Sequence, residues 1–256
     1  MRREEYTEGV AKSTLIRYEQ EGMNEIKGLY TIAENVSQAE AFLKGGARIV
    51  QLRRKDNGQR TTDNGPKKVQ PVFGPLSTVR CPLSTPHGPL SVVQVSKKIL
   101  ALKRRYDFTF IVNDYVEVAK EIGADGVHVG ADDMPVAEVR KIVGPKMLIG
   151  YSSHSLEEAV AAEKAGANYV AFGAIFPTKT KGPGHPVQGL EKLRGVVQAL
   201  RVPVVAIGGI NKSNMESVMK TGAAAVAMIT ALTEAADIVQ AVKSVVHCPL
   251  SVVGLL

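Results

Sequence analysis

The chain has 256 residues, 45% of them apolar and 5% aromatic, and a formal charge of +7. That length suits one large α/β domain or two small ones, and the positive balance suits anionic ligands, small phosphates included. There is no Trp, and the few Tyr and Phe are not interleaved with basic residues, which argues against a nucleic-acid partner. No apolar run approaches membrane-span length.

Residues 1–22 are polar and charged, without an apolar signal core, and read as an N-terminal extension. A domain is expected over 23–246. From Lys27 onward, short apolar runs alternate with stretches of helical spacing. Strands are expected at 28–32, 47–52, 108–112, 126–129, 147–150, 169–173, 204–207 and 224–228. Helices are expected at 37–43, 96–106, 115–122, 135–143, 155–165, 190–200, 213–221 and 235–245. Gly45-Gly46 stops the first helix, and Ser155 with Glu158 forms a capping box. Eight strands alternating with eight helices predict parallel pairing and a (β/α)8 TIM barrel. A doubly wound sheet is the alternative, but no dinucleotide-type glycine fingerprint follows the first strand.

The alternation breaks at Asn57–Gln94, which holds six of the thirteen prolines. Four basic residues against one acid give this insertion a net charge of +3. Proline at that density excludes helix and central strand, so the segment reads as an irregular excursion, with a lid as the alternative. His87–Val93 (HGPLSVV) returns as His247–Val253 (HCPLSVV) in the tail, 247–256. The two cysteines, Cys81 and Cys248, fit no metal-ligand spacing and read as a reduced pair in a cytoplasmic protein.

In a barrel of this kind, functional residues sit where strands run out into the following loops. Those positions carry Gln51, Arg53 and Lys55 after strand two, and Asn113 and Asp114 after strand three. His128 and Asp132-Asp133 follow on strand four, and Ser152, Ser153 and His154 on strand five. Strand six leads into Thr178, Thr180 and Lys181, strand seven into Gly208-Gly209, and strand eight into Ile229-Thr230. Asp114 and Asp133 on neighbouring strand ends suit a hard cation such as Mg²⁺. Arg53, Lys55, Asn113 and Lys181 would surround an anion beside it. Hydroxyls and an ammonium in the TKTK stretch suit phosphate oxygens, and the paired glycines suit a second phosphate. Each residue also has a bland reading. Asp114, Asp132 or Asp133 would merely cap helices, His128 would be core, His154 a polar loop residue, and Gly208-Gly209 a turn. Their joint occurrence at successive strand ends favours function.

QLRRK (Gln51–Lys55), ND (Asn113-Asp114), GVHVGADD (Gly126–Asp133), FGAIFPTKTK (Phe172–Lys181) and VAIGGI (Val205–Ile210) together resemble thiamine-phosphate synthases. The resemblance spans roughly Gly28 to Val245 without the insertion. It implies a transferase that joins a hydroxymethylpyrimidine diphosphate to a thiazole phosphate and releases pyrophosphate. Carried over by motif, Gln51, Arg53, Lys55, Asn113 and Lys181 would hold the diphosphate. Asp114 and Asp133 would bind Mg²⁺, and Ser152 would contact the pyrimidine. Thr178, Thr180, Gly209, Ile229 and Thr230 would hold the thiazole phosphate. Lys181, Arg53 and Ser152 would be the catalytic members. Ala131, Ala174, Thr230 and Tyr115 stand where the family often has Gln, Pro, Ser and Arg. The partners implied are small phosphorylated substrates, with monomer or homo-oligomer left open. Two other readings remain: a thiazole tautomerase-like barrel with His154 as proton carrier, and a non-catalytic binder of phosphorylated ligands.

Overall fold

All eight expected strands form, as β1 (Gly28–Ala33), β2 (Ile49–Leu52), β3 (Thr109–Asn113), β4 (Gly126–Val129), β5 (Leu148–Ser153), β6 (Tyr169–Gly173), β7 (Val204–Ile207) and β8 (Ala225–Met228). Each pairs in parallel with its neighbour in sequence. β8 closes onto β1, with Gly28 opposite Ala225 and Thr31 opposite Met228. The protein is therefore a closed (β/α)8 barrel. The computed structural model describes residues 26–54, 89–178 and 186–247. The N-terminal extension at 1–22, residues 57–88 of the insertion, residues 248–256 of the tail and both cysteines lie outside the described residues.

The helices among the described residues are α1 (Val36–Lys44), α2 (Pro89–Leu100), α3 (Val116–Ile122), α4 (Val136–Val143), α5 (Leu156–Lys164), α6 (Gly189–Ala199), α7 (Met215–Met219), α8 (Thr230–Thr233) and α9 (Ile238–Val246). A 3₁₀ turn, Ala101–Arg104, follows α2. The expected cap forms in a variant of the capping box: Ser155 Oγ accepts from Glu158 N–H at 3.1 Å, and the Glu158 carboxylate reaches one residue further back to accept from His154 N–H at 2.7 Å. Asn35 and Gln38 build a similar cap on α1.

Several boundaries differ from expectation, among them the end of β5, which runs on to Ser153. Helix α2 begins at Pro89, so residues 89–94 belong to it and not to an irregular excursion. Proline costs nothing in the first turn, where its missing N–H has no intrahelical partner. Val92, Ser96 and Ile99 then repeat at helical spacing and are all buried. Helix α7 is shorter than the expected 213–221, because Asn211 and Asn214 divert its first turn. Asn211 Oδ1 accepts from Ser213 N–H, and Asn214 Oδ1 accepts from Asn211 N–H. The last expected helix starts late, at Ile238, where Asp237 caps it by accepting from Gln240 N–H. The one-turn α8 before it had no sequence signal.

Strand alternation separates two cores. Outward residues such as Val50, Phe110, Val127, Val170 and Val226 pack against the helices. Inward residues, among them Tyr30, Ile49, Ile111, Leu148, Tyr169 and Val205, fill the barrel. A fully buried residue of this size contributes about 1.5–3 kcal/mol relative to exposure.

At the N-terminal ends of β5 and β6, Arg140 of α4 works as a clamp. Its guanidinium donates to the carbonyls of Gly144, Met147 and Gly166 and to Asn168 Oδ1. Asn168 Oδ1 also accepts from Ile149 N–H. Burial lowers the Arg140 pKa from its ordinary value. Arg140→Ala leaves several acceptors without a donor. Denaturant unfolding should show a loss of about 2–4 kcal/mol, and Arg140→Lys should recover only part, since an ammonium lacks the planar fork.

Candidate active site

The C-terminal ends of the strands bring most of the described candidates to one face. Gln51, inward on β2 and only 3% exposed, donates from Nε2 to Asn113 Oδ1 of β3 at 3.1 Å. Asn113 sits opposite His128, and His128 Nε2 lies 2.8 Å from Ser152 Oγ of β5. These bonds join the polar ends of β2 to β3 and of β4 to β5 beneath the site.

On the far side, one pocket is lined by Arg53, Thr178, Gly209, Ile229 and Thr230, together with Ala174, Ile207, Gly208, Ile210 and Ala227. The loop after β6 is laced to the end of β7. Ile175 N–H donates to Ile207 O, and Phe176 N–H to Gly208 O, both at 3.0 Å. That lacing carries Thr178 to the glycines. Gly208 and Gly209 have φ of +101° and +65°. A Cβ on Gly208 would stand 2.6 Å from Ala174 Cα, and one on Gly209 would stand 2.5 Å from Pro177 O. Positive φ and close backbone approach both demand glycine at these two positions. Asn214 Nδ2 donates to Gly209 O at 3.0 Å and pins the turn. The glycine pair is thus a turn that also walls the pocket.

Asp114 and Asp133 follow the adjacent strands β3 and β4, and both are exposed. Asp114 has φ of +66°, a left-handed conformation that Asp tolerates better than most residues with a side chain. Asp133 Oδ2 accepts from Gly130 N–H at 2.7 Å, so it folds back over its own loop and does not cap α4. The N-cap of α4 is Pro135, which contributes no side-chain bond. Burial, then the nearby carboxylates of Glu158, Asp132 and Asp133, push the Tyr151 phenol pKa up. Among the described residues, no group of three or more His, Cys, Asp or Glu could hold a metal ion. Two carboxylates with hard oxygen donors fit a cation that keeps its remaining positions for water and phosphate, as Mg²⁺ does.

Lys55, Thr180, Lys181 and His185 lie outside the described residues. His154 Nδ1 lies 2.7 Å from Gly173 O, so that nitrogen carries the proton. His128 is core, as its strand position implied, but it also holds Ser152. Reading β4 at its two-residue period would have put it on the inward face. No helix among the described residues is long and apolar enough to cross a membrane.

A family model described as thiamine monophosphate synthase matches residues 87–232. The chain belongs to this family. A thiamine-phosphate synthase of Pyrococcus furiosus is 47% identical over 59% of this chain and 72% of its own length. One from Pyrococcus abyssi is 35% identical over 87% of this chain and 94% of its own. The structure of a thiamine phosphate pyrophosphorylase from Pyrococcus furiosus superposes with a TM-score of 0.69 at 34% identity, covering 90% of this chain and 96% of that one. Family membership makes the chain a transferase, a thiamine-phosphate synthase by family, and favours the synthase over the tautomerase and non-catalytic readings.

Substitution Gly209→Ala should narrow the synthase pocket without dissolving the barrel. Calorimetric titration with inorganic phosphate should show at least about tenfold weaker binding, and far-UV circular dichroism should stay unchanged. Equal affinity in the two proteins would remove the glycine turn from the ligand site.

Proposed function

We propose that the chain condenses 4-amino-2-methyl-5-hydroxymethylpyrimidine diphosphate with a thiazole phosphate, or its carboxylated form, to give thiamine phosphate and pyrophosphate. The observation that carries this reading is the pocket shared by Arg53, Thr178, Gly209, Ile229 and Thr230 at the C-terminal face, in a chain of this family. Gly209, Ile229, Thr230 and Thr178 with Thr180 receive the thiazole phosphate. Gln51, Arg53, Lys55, Asn113 and Lys181 hold the diphosphate, Arg53 from the wall of the pocket it shares with Thr178 and Gly209. Ser152 touches the pyrimidine. The charged substrates do not cross membranes unaided, which supports a cytoplasmic place of work.

The reaction is dissociative. The bond from the pyrimidine methylene carbon to the diphosphate oxygen breaks, and its electron pair leaves with pyrophosphate. The amino-substituted ring stabilises the resulting cation, and the thiazole nitrogen lone pair then forms the new carbon–nitrogen bond. Arg53, Lys55 and Lys181 stabilise charge gathering on the leaving group. The fixed spacing of the two anion sites aligns nitrogen and carbon. Asp114 and Asp133 would hold Mg²⁺, which supplies charge neutralisation at the diphosphate. The exposed carboxylates of Asp114 and Asp133, just past the ends of the paired strands β3 and β4, support that assignment.

The deciding assay combines both substrates with Mg²⁺ and follows thiamine phosphate. Asp114→Ala or Asp133→Ala should abolish turnover at low Mg²⁺ while the melting curve stays cooperative. Full activity in Asp133→Ala would end its ligand role.

Within the loop after β6, Lys181→Ala should lower kcat more than it raises KM, by on the order of 10²-fold. Lys181→Arg should recover part of that loss. Thr180→Ala should mainly raise KM for the thiazole phosphate. The reverse pattern in steady-state kinetics would mean that the loop is divided between the substrates the other way round.

A further inference from the structure

Four side chains from four strands form one hydrogen-bonded chain inside the barrel. Tyr30 Oη of β1 lies 2.8 Å from Tyr169 Oη of β6. Tyr169 Oη lies 3.0 Å from His128 Nδ1 of β4, and His128 Nε2 lies 2.8 Å from Ser152 Oγ of β5. Tyr30, Tyr169 and His128 are buried, while Ser152 is half-buried at the C-terminal face. The chain thus leads from the buried interior to the rim of the site.

Its geometry is built into the strands. Tyr169 pairs with Gly150, and Gly150 pairs with His128, so one glycine lies between the two rings. A Cβ on Gly150 would collide with the Tyr169 phenol and with His128 Nδ1. Only glycine allows these rings to meet. Burial also pushes both tyrosine pKa values well above the ordinary range, so both phenols keep their protons and act as donors.

The direction of the chain follows from acid strength. A neutral imidazole donates from one nitrogen and accepts at the other, so the bonds on its two sides run the same way. A phenol is a stronger acid than an alcohol and is the better donor to imidazole. Tyr169 O–H therefore donates to Nδ1, and Nε2–H donates to Ser152 Oγ. The Ser152 proton is left to point toward the ligand.

We propose that Tyr169 is a positioning residue for the synthase reaction, acting through His128 to hold Ser152 as a hydrogen-bond donor to an aromatic nitrogen of the pyrimidine substrate. The inference rests on the reading of Ser152 as a pyrimidine contact. It accounts for Tyr30, Tyr169, His128 and Ser152 as one hydrogen-bonded unit inside the barrel.

The test has one arm that needs no activity. Long-range ¹H–¹⁵N spectra of the whole protein labelled at histidine, with His128 assigned through His128→Asn, should show the Nε2–H tautomer. Tyr169→Phe should give a mixture of tautomers. In the kinetic arm, Tyr169→Phe should lower kcat/KM for the pyrimidine diphosphate about tenfold. It should have no further effect in a Ser152→Ala background, because both changes remove the same contact. Tyr30→Phe, one bond further away, should act in the same direction more weakly. An Nδ1–H tautomer in the unaltered protein would overturn the proposal. So would losses that simply multiply in Tyr169→Phe/Ser152→Ala, as a purely structural role predicts. Absence of thiamine phosphate with the unaltered protein would instead sink the functional reading and the role in turnover, while the tautomer arm still decides the direction of the chain.

Discussion

Closure of β8 onto β1 is the constraint on which the other features depend. A closed parallel sheet has no edge, so every strand presents one pleat face to the helices and one to the interior. The outer face is mostly apolar, since helices cover it all round, with Thr31 and Ser153 as buried polar residues on the same pleat. The inner face must fill a narrow, tapering space, and it does so by matching large residues with absent ones. Gly126 makes room for Ile111 and Leu148, Gly150 for Tyr169 and His128, and Gly173 for Ile207. Each of these glycines is a packing partner whose contribution is the volume it does not occupy.

The two ends of the barrel are built for different purposes. At the N-terminal ends, charges are consumed by structure. Arg140 ties together the approaches to β5 and β6, and Asp125 Oδ2 takes both Phe110 N–H and the Lys103 ammonium at 2.7 and 2.6 Å. At the C-terminal ends the loops carry exposed carboxylates after β3 and β4, and a glycine turn and hydroxyls that line a pocket. A guanidinium locked onto several backbone carbonyls stiffens a fold. Exposed carboxylates on loops held by a rigid sheet are placed to meet a ligand. The inward polar residues join these regimes, because Gln51, Asn113, His128 and Ser152 pair with one another just below the loops.

Much of this was legible in the chain itself. The strands announced themselves as short apolar runs, and the capping residues Ser155 and Glu158 marked a helix start that the backbone obeys. The described strand-end residues share one face because a parallel α/β repeat sends every strand the same way. Boundaries were less legible where side chains compete with backbone, as at Asn211 and Asn214, or where a residue has two uses. Pro89 reads as a breaker within a proline-rich run, yet it is a good first residue for a helix whose buried stripe lies further on.

Sequence alone determined the barrel, its direction and the family, because hydrophobic period, turn chemistry and motif spacing are local properties. It could not determine which residues share a pocket or a hydrogen bond. Arg53 shares a pocket with Thr178 and Gly209 only because the sheet curls into a closed barrel. Tyr30 meets Tyr169, 139 positions away, for the same reason. Contacts across a closed barrel depend on the register of every strand between them. That register is set by the packing of all eight strands at once, and no single stretch of sequence encodes it.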